Sequence, residues 1–384
     1  MRCRRWLLVA GLLLVVGAGR AEGLDSLSQS PRKGLVRRVV DYFGQSTVDR
    51  TAERAIDFTF AGGPSYSKTT ELGLGLLGSG LYRLDRQDSV TSPSDISFYG
   101  TISTTGFYSL GAAGNTIFRD RNRRLSYELS FTSSPRDLWG IGYEAGRTNP
   151  PTKILEQRYA LEVQFRQRIV ADAYLGALID LDYRRGRDFD ATADAYIHHQ
   201  RREYLATGVG LLAEYDTRDF IPNPSRGVYL ALQQILYARG LGNCSDSFWR
   251  TIFTADYYQQ VWRGGVLAFD LYGELNSKGT PWTMLARLGG SARMRGYYEG
   301  QYADRNLVVG QVELRQHLWR RFGGVVWGGA GNVFPRMSSF RWAETLPNYG
   351  LGLRWELKKR VNVRMDYGFG RATSGFLLSI NEAF

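Results

Sequence analysis

Residues 361–370 read VNVRMDYGFG, and in this stretch apolar and polar side chains alternate without interruption. Successive side chains of a β-strand point to opposite faces, so the stretch forms a strand with one apolar and one polar face. The same period of two recurs at 349–358, 267–276 and 159–169. The sequence therefore predicts an all-β chain built from strands with two unlike faces.

Composition and the longest apolar run narrow the class of protein. Of the 384 residues, 43% are apolar and 13% aromatic, which argues against intrinsic disorder. The longest apolar run, 6–18, is too short for a membrane-spanning helix, which needs about 20 residues. A helical membrane protein is therefore excluded, whereas a soluble β-sandwich and a membrane β-barrel both remain.

The two faces of the strands favour the membrane barrel. The polar faces carry charge in strand after strand, and the apolar faces often carry Trp, Tyr or Phe near the strand ends. A water-filled lumen inside, with lipid and aromatic girdles outside, explains both features. The soluble sandwich stays the alternative.

The first 21 residues have the pattern of an export signal. Three arginines precede the apolar run 6–18, and small residues follow it up to Ala21, after which we expect cleavage. The remaining 45 basic and 37 acidic residues give a net charge of +8. For an exported chain this balance favours an anionic surface, such as lipid head groups, over nucleic acid. Cys244 then stands alone, so no intramolecular disulfide is expected.

The alternation predicts sixteen strands. They lie near 70–83, 95–105, 107–118, 123–133, 138–146, 158–169, 172–185, 203–216, 226–240, 248–262, 265–276, 306–319, 323–334, 348–358, 361–370 and 375–384. Three regions of the chain follow from this count: a signal peptide at 1–21, a short segment at 22–55 and a barrel domain at 56–384. Apolar residues at helical spacing favour an amphipathic helix in the segment 22–55, with a partly ordered tail as the alternative. The stretch 56–66 could form a seventeenth strand, and we treat it as a lead-in.

The connections between these strands fall into two sets. Counted back from the C-terminus, every second connection is short, except 217–225; the short ones are 359–360, 320–322, 263–264, 170–171, 134–137 and 106. The other set holds the longer loops 84–94, 147–157, 186–202, 277–305 and 335–347, together with the short 119–122 and 371–374. Short turns on one side and long loops on the other are typical of an outer-membrane barrel, and an even strand number puts both termini on the short-turn side.

Motifs in a fixed order carry a family resemblance. They are YDTRD at 215–219, PSRG at 224–227, GGSARMRGY at 289–297, QVELR at 311–315 and VWGGAGNVF at 326–334. Together they resemble the BamA/TamA superfamily of sixteen-stranded outer-membrane barrels, of the bacterial surface-antigen type, over essentially the whole barrel. The segment 22–55 is too short for the periplasmic POTRA domains of many members, so the resemblance is to the subgroup lacking them.

The resemblance implies that the sixth outer loop, 277–305, folds back into the lumen. Arg295, Gly296 and Tyr297 match the tip of that loop, and Glu313 matches the acid of the lumen wall that the arginine meets. The alternation independently places Glu313 on the polar face of its strand. An arginine–carboxylate pair in a partly dry lumen is charge-assisted and can be bidentate.

The neighbouring strand departs from the family pattern at one position. The motif Phe-x-Asp-x-Gly appears as Trp327, Gly329 and Gly331, with Gly329 in place of the aspartate that usually also faces the loop arginine. We therefore expect a thinner contact, or help from another lumen acid; the candidates are Asp270, Glu274 and Asp366. At the other end, the last strand is expected to reach Phe384, whose terminal aromatic ring resembles the assembly signal of such barrels. A lipid-facing aromatic at the membrane interface is the simpler interpretation of Phe384.

The resemblance implies an outer-membrane barrel of the insertase or translocase type, which assists assembly or translocation of outer-membrane protein or lipid. The expected partners are outer-membrane lipid, including lipopolysaccharide, and a barrel-assembly complex or envelope lipoproteins, without nucleic acid. We expect a weakly paired seam between the first and last strands, because 71–78 is rich in glycine. No cofactor, metal or catalytic residue is expected.

Three other functions stay open as alternatives, and one of them is a structural partner inside a larger assembly complex. A plugged or passive outer-membrane pore fits the same fold. An enzyme at the rim would use His198 and His199, but adjacent histidines on a polar loop lack the spacing of a zinc site.

Overall fold

Sixteen strands close into an antiparallel barrel within the part of the chain that the computed structural model describes, residues 56–85, 93–118, 122–358 and 360–384. The strands are β1 (Asp57–Ser67), β2 (Glu71–Tyr82), β3 (Ser94–Ser103), β4 (Tyr108–Ile117), β5 (Arg123–Leu138), β6 (Thr152–Val170), β7 (Ala173–Arg187), β8 (Glu203–Asp216), β9 (Gly227–Tyr237), β10 (Phe248–Trp262), β11 (Gly265–Asn276), β12 (Ala286–Arg287), β13 (Ala303–Asp304), β14 (Asn306–Trp319), β15 (Phe322–Phe334), β16 (Leu346–Lys358), β17 (Val361–Gly370) and β18 (Thr373–Ile380). All of these except β12 and β13 belong to the barrel, so the predicted sixteen-stranded fold is confirmed.

The barrel pairs its strands in chain order. Each barrel strand pairs with the next one along the chain, β11 pairs with β14, and β18 returns to β1. The strands β12 and β13 pair only with each other, inside the connection between β11 and β14. The expected signal peptide 1–21 and the segment 22–55 lie outside the described residues.

The alternation of the sequence appears as a lumen face and an outer face. In β17, Arg364 and Asp366 are buried in the lumen, whereas Tyr367 is 41% exposed on the outside. In β16, Arg354 is buried and Leu353 is exposed in the same way. Closure pairs the backbone over most of the barrel, so this apolar outer face can lie against lipid.

One predicted strand is absent and one observed strand was not predicted, and the two errors compensate in the count. The stretch 56–66, expected to be a lead-in, contributes β1. The predicted strand 138–146 is absent, because β5 runs on to Leu138 and the chain then forms a helix, α1 (Tyr143–Thr148). The structure has one more strand before β2 than predicted and one fewer after β5. The strands β2 to β5 therefore run in the direction opposite to the predicted one.

The reversal changes which connections share a rim. The terminal rim is the end of the barrel where β1 begins and β18 ends, and the far rim is the opposite end. The long connection 84–94 and the short connection 119–122 were both expected on the side of the longer loops, but β2 and β4 end at the terminal rim. The residues expected as turns at 134–137 lie inside β5, and Gly106 lies in a far-rim turn. From β6 onward the predicted alternation is confirmed, with two-residue turns at 171–172, 263–264, 320–321 and 359–360 on the terminal rim.

The far rim carries short helices in its longer loops. Besides α1, they are α2 (Ala191–Tyr196) and the 3₁₀ helices Arg239–Leu241, Trp282–Met284, Met337–Ser339 and Trp342–Glu344. No described helix has the length and apolar character needed to cross a membrane. The longest connection, 277–305, remains the sixth on the far rim and is called the lumen loop below.

Candidate functional site

The tip of the lumen loop lies against the inner wall of the barrel. Gly296 adopts φ +101°, and a Cβ atom there would lie 2.5 Å from the backbone oxygen of Gly368 in β17. Only glycine therefore suits this left-handed position and its close approach to the wall. The next residue, Tyr297, is 2% exposed and donates from its hydroxyl to the backbone oxygen of Pro347, 2.8 Å away.

Arg295 occupies the centre of the site and is almost completely buried. Its Nη2 lies 2.6 Å from Oε2 of Glu313, and its Nη1 lies 2.8 Å from Oδ2 of Asp366. The guanidinium carbon also lies 3.6 Å from the ring centroid of Trp327. Asp366 thus supplies the second acid that Gly329 does not. Of the three expected substitutes, Asp270 pairs with Arg293 and Glu274 with Arg250 instead.

The ion pairs continue beyond Arg295 as a network. Four arginines and three carboxylates take part among the described residues: Arg295, Arg315, Arg354, Arg364, Glu313, Asp366 and Glu382. Glu313 also pairs with Arg315 at 2.7 Å, and Asp366 also pairs with Arg354 at 2.5 Å. Because each carboxylate bridges at least two arginines, the loss of one carboxylate leaves at least two buried arginines with one partner fewer.

The strand motif makes room for the loop. Trp327 donates from its indole nitrogen to Oδ1 of Asn348 at 3.0 Å, and Asn348 in turn donates to the backbone oxygen of Arg295. A Cβ atom on Gly331 would lie 3.0 Å from Leu288 and from Met294 of the lumen loop. The strand motif therefore contacts the lumen loop through its tryptophan and one of its glycines.

Phe384 does not continue the last strand as expected. Strand β18 ends at Ile380, and Asn381 follows with φ +68°. The backbone oxygen of Phe384 then accepts a hydrogen bond from Arg315 at 2.9 Å, and its ring lies 6.3 Å from the ring of Tyr258. The left-handed residue thus turns the end of the chain toward the ion-pair network, away from the lipid-facing positions of β18.

The seam between β1 and β18 has the shortest pairing in the barrel. Among the described residues, Tyr66 and Leu378 form its only facing pair, whereas every other pair of neighbouring barrel strands has at least eight. The cause is a stagger, because Tyr66 is next to the last residue of β1 and Leu378 is near the end of β18. Just beyond them stands Pro64, which has no backbone N–H to donate. The pairing of β1 with β18 that the structure describes is therefore limited to the far-rim end of β1.

The tip of the lumen loop bridges this seam at the far rim. The backbone oxygen of Gly296 accepts from Lys68 Nζ at 3.4 Å and from Thr373 Oγ1 at 3.0 Å, and Lys68 also donates to Thr373. Lys68 lies in the turn after β1, and Thr373 begins β18. A second contact runs from the backbone N–H of Glu299 to Thr69 Oγ1, at 3.2 Å. The loop therefore connects the two strands where their own backbone pairing is missing.

Comparison with protein families identifies the class of this barrel. The Omp85 superfamily domain matches residues 96–384, about three quarters of the chain. The chain belongs to the Omp85 superfamily. It is an integral outer-membrane barrel of the insertase and translocase type. A search of curated proteins finds no match to this sequence.

Solved structures share the Omp85 fold at low sequence identity. A BamA from Haemophilus ducreyi lacking POTRA domains 1–3 superposes with a TM-score of 0.60 at 10% identity, covering 86% of this chain and 70% of that one. CdiB from Acinetobacter baumannii gives 0.55 at 12% identity, covering 86% and 60%. CdiB from Escherichia coli gives 0.55 at 11% identity, covering 85% and 62%. This chain therefore spans about three fifths of each CdiB chain, and these likenesses concern the fold.

Sequence reasoning missed part of the Omp85 site. Arg315, Arg354 and Arg364 all fall on polar faces in the alternation, so their lumen orientation was readable. Their convergence on Glu313 and Asp366 was not, because it depends on strand register around the barrel. The sequence did not indicate a role for Lys68, because this residue lies in the turn after β1, a strand that was not predicted.

A second contact closes part of the terminal rim. The ten-residue connection 217–226 between β8 and β9 meets Arg360, in the turn between β16 and β17. Arg360 Nη2 lies 2.8 Å from Asp219 Oδ2 and 2.7 Å from the backbone oxygen of Asn223. Burial raises the pKa of Asp219, but hydrogen bonds from Ser225 and Arg360 outweigh it and lower the pKa to about 2. The family motif around Asp219 thus ties two distant parts of the rim together.

The two histidines considered for an enzyme lie on the surface of the far rim. Both have positive φ, 55° for His198 and 52° for His199. His199 Nδ1 lies 2.8 Å from Asp194 Oδ2, and the His199 side chain is 75% exposed. Within the described residues there is no group of three or more His, Cys, Asp or Glu that could hold a metal ion. The geometry here is that of an exposed hydrogen bond between His199 and Asp194.

Proposed function

We propose that this Omp85 barrel assists the assembly or translocation of outer-membrane protein or lipid by opening the seam between β1 and β18, together with partner proteins. The single facing pair between Tyr66 and Leu378 supports this mechanism. Counted over the described residues, opening at this seam breaks one facing pair, whereas opening between any other neighbouring barrel strands breaks at least eight. The barrier to lateral opening is therefore lowest here.

The opened seam has the chemistry needed to receive a client strand. Among the described residues β1 pairs with β18 at Tyr66 alone, and a weakly paired strand edge can template the addition of another strand. On the outer face of β1, Phe58 and Phe60 are 43% and 65% exposed. An incoming apolar strand or lipid chain would meet these rings in the bilayer.

In this proposal the residues of the site act as the closing device. Arg295, Gly296 and Tyr297 hold the loop tip, and Glu313 anchors it to the wall. Trp327 and Gly331 form the surface that the loop rests on, and Gly329 lies between them in the same strand, against β14. Release of the tip would free the Gly296 contacts with Lys68 and Thr373. For Phe384, we propose that the terminal aromatic is read during assembly, before it turns into the lumen.

We place the two barrel ends in the periplasm. The two-residue turns on the terminal rim and the long loops on the far rim support this orientation. The far rim would then face outward and contact lipopolysaccharide, whereas an assembly complex or envelope lipoproteins would bind from the periplasmic side. The assignment of 1–21 as a signal peptide, of 22–55 as a separate segment and of 56–384 as the barrel domain completes the proposal.

A plugged pore is the second candidate, and the buried lumen loop favours it specifically. Arg295 and Tyr297 are 1% and 2% exposed, so the loop tip fills part of the lumen tightly. A pore of this kind would conduct only after the loop leaves. Opening the seam requires the release of the Gly296 contacts but not the departure of the whole loop, so the two candidates make different predictions for a barrel whose seam is closed.

The test is a reversible covalent closure of the seam. A Tyr66→Cys/Leu378→Cys barrel, oxidised in liposomes, should stop folding an added client barrel, and reduction should restore the activity. The matched control is Tyr367→Cys/Phe376→Cys, which joins β17 and β18 on the same outer face and should leave activity unchanged. Full activity with a quantitatively oxidised seam would overturn the proposal. Steady conductance in the same oxidised sample would favour the pore.

A further inference from the structure

A polar cavity lies in the lumen between the seam and the opposite wall. Its volume is about 610 Å³, and it lies beside the lumen loop. A neighbouring cavity at the terminal rim has a volume of about 330 Å³. The larger volume is within the usual range for sites that bind small molecules, about 300–1,000 Å³. It reaches Tyr66 of β1 and both Leu377 and Leu378 of β18. One side of the cavity is therefore the seam itself.

The wall opposite the seam is rich in arginine. Among the described residues that line the cavity there are five arginines and three acids, and the arginines are Arg136, Arg158, Arg184, Arg250 and Arg287. The acids are Glu156, Glu274 and Glu299. Hydroxyl groups of β1 and its turn complete the lining on the seam side. A lining of this kind selects a polar ligand that carries negative charge.

The carboxylates present do not saturate these arginines. Glu156 is shared between Arg136, at 3.2 Å, and Arg287, at 2.7 Å. Asp182, behind the lining, is shared between Arg158 and Arg184, each at 2.8 Å. One carboxylate thus serves two guanidinium groups in both cases.

Two of the arginines keep donor capacity for a ligand. Arg136 is only 8% exposed, and its Nε has no hydrogen-bond partner. The side chain of Arg158 is 42% exposed inside the lumen, although it pairs with a fully buried acid. A buried N–H donor without a partner is costly, and an anion that accepts from it would remove the cost.

We propose that this cavity binds the phosphate group of an anionic amphiphile. Planar guanidinium groups bind phosphate oxygens in a bidentate manner, and Arg136, Arg158 and Arg287 come from three separate segments around one space. Tyr66 and Leu378 lie where the acyl chains would leave toward the bilayer. Entry of a lipid through the seam rests on the proposed function, whereas the phosphate site itself does not.

The first experiment measures binding of inorganic phosphate by calorimetry in detergent micelles. The second measures retention of phosphatidic acid by native mass spectrometry, after release of the barrel from phosphatidylcholine nanodiscs that contain it. Arg158→Gln should weaken phosphate binding about tenfold, and Arg158→Gln/Arg287→Gln about a hundredfold. The matched control is Arg185→Gln, one residue from Arg184 but on the outer face, and it should change neither result. Heat-dependent migration on gels checks that each variant is folded.

The outcomes separate the sources of the phosphate group. Phosphate binding with lipid retention in the wild type, both lost in the double variant, supports the head-group site. Phosphate binding without lipid retention supports the site but overturns the amphiphile, leaving a soluble anion. Equal lipid retention by the double variant would mean surface lipid only, and no binding of either probe would overturn the site.

The oxidised Tyr66→Cys/Leu378→Cys barrel separates this inference from the proposed function. If lipid enters through the seam, that barrel should bind inorganic phosphate as before and lose retention of phosphatidic acid added after oxidation. Unchanged lipid retention would show that the site is valid and that entry through the seam is wrong.

Discussion

Neutralising Glu313 should destabilise the barrel more than removing Arg295, although the two side chains form one ion pair. The described network holds four arginines and three carboxylates, so its side chains carry a net charge of +1. Glu313→Gln raises this to +2 and leaves Arg315 with Glu382 alone, 3.9 Å away. Removing one partner from a buried pair costs about 3–5 kcal/mol, and we expect this variant to fall in that range.

Arg295→Met changes the net charge of the same network in the opposite direction. The net charge becomes zero, Glu313 keeps Arg315 at 2.7 Å, and Asp366 keeps Arg354 at 2.5 Å. What is lost is the cation–π contact with Trp327, worth about 1 kcal/mol, and two charge-assisted hydrogen bonds whose acceptors stay paired. We expect a total cost of about 1–3 kcal/mol. The double variant should cost about 1–3 kcal/mol less than the sum of the two single variants, because they share one pair.

The assay is thermal unfolding in micelles, followed by the loss of heat-dependent gel migration at one fixed heating rate. Barrels unfold irreversibly in such scans, so the midpoints are compared only at that rate. At about 2 °C for each kcal/mol, Glu313→Gln should lower the midpoint by roughly 6–10 °C and Arg295→Met by roughly 2–6 °C. Glu128→Gln is the control, because this lumen carboxylate is exposed and should cost below about 1 kcal/mol. Equal midpoints for the two single variants, or strict additivity in the double, would refute the charge argument.

Three other predictions follow from the contacts of the loop and the rims. In planar bilayers, Arg295→Met should conduct more often than the wild type, because the loop tip has lost its anchor; unchanged, low conductance would show that the tip stays in place without it. Lys68→Met should speed disulfide exchange at Tyr66→Cys/Leu378→Cys several-fold, since only Thr373 then holds Gly296, and an unchanged rate would contradict the bridging role. The pKa of Asp219 is about 2 in the fold against an ordinary 3.8, so its stabilising contact with Arg360 is complete above about pH 4 and is lost as the pH falls toward 2. Hydrogen exchange of 217–226, corrected for its intrinsic rate, should rise only in that acid window, and Asp219→Asn should abolish the pH dependence.

The alternation was sufficient for the C-terminal two thirds of the fold. In β14, β16 and β17 one face is charged and the other apolar, so the lumen orientation of Glu313 followed from parity alone. A charged side chain that faced the outside of the barrel would lie in lipid. The alternation of charged and apolar residues along these strands is therefore strict.

The N-terminal third was predicted less well for physical reasons. In β1 the sequence Gly62-Gly63-Pro64 interrupts the period of two, so the strand resembles a loop. Strands β5 and β6, with 16 and 19 residues, extend past what a bilayer requires, about 9–11 residues. The turn predicted at 134–137 was therefore wrong, because β5 continues through these residues.

The partners within the site could not be read from sequence. Asp270, Glu274 and Asp366 were equivalent as candidates, because all three lie on lumen faces. The choice of Asp366 depends on register around the closed barrel, which brings β17 beneath the loop tip. The turn of Phe384 into the lumen likewise depends on the left-handed conformation of Asn381, which a strand pattern does not indicate.

The opening of the seam is tested most directly by a distance measurement across it. Spin labels at Phe60→Cys and Phe376→Cys, on the outer faces of β1 and β18, are measured by pulsed electron resonance in nanodiscs, with Cys244→Ser as background. Labels at Tyr367→Cys and Phe376→Cys report on the fully paired neighbour. An opening seam predicts two distance populations across β1 and β18, with the longer one growing when a client barrel is added, and a single narrow population across β17 and β18. A single narrow distance at both positions, with and without client, would contradict the account.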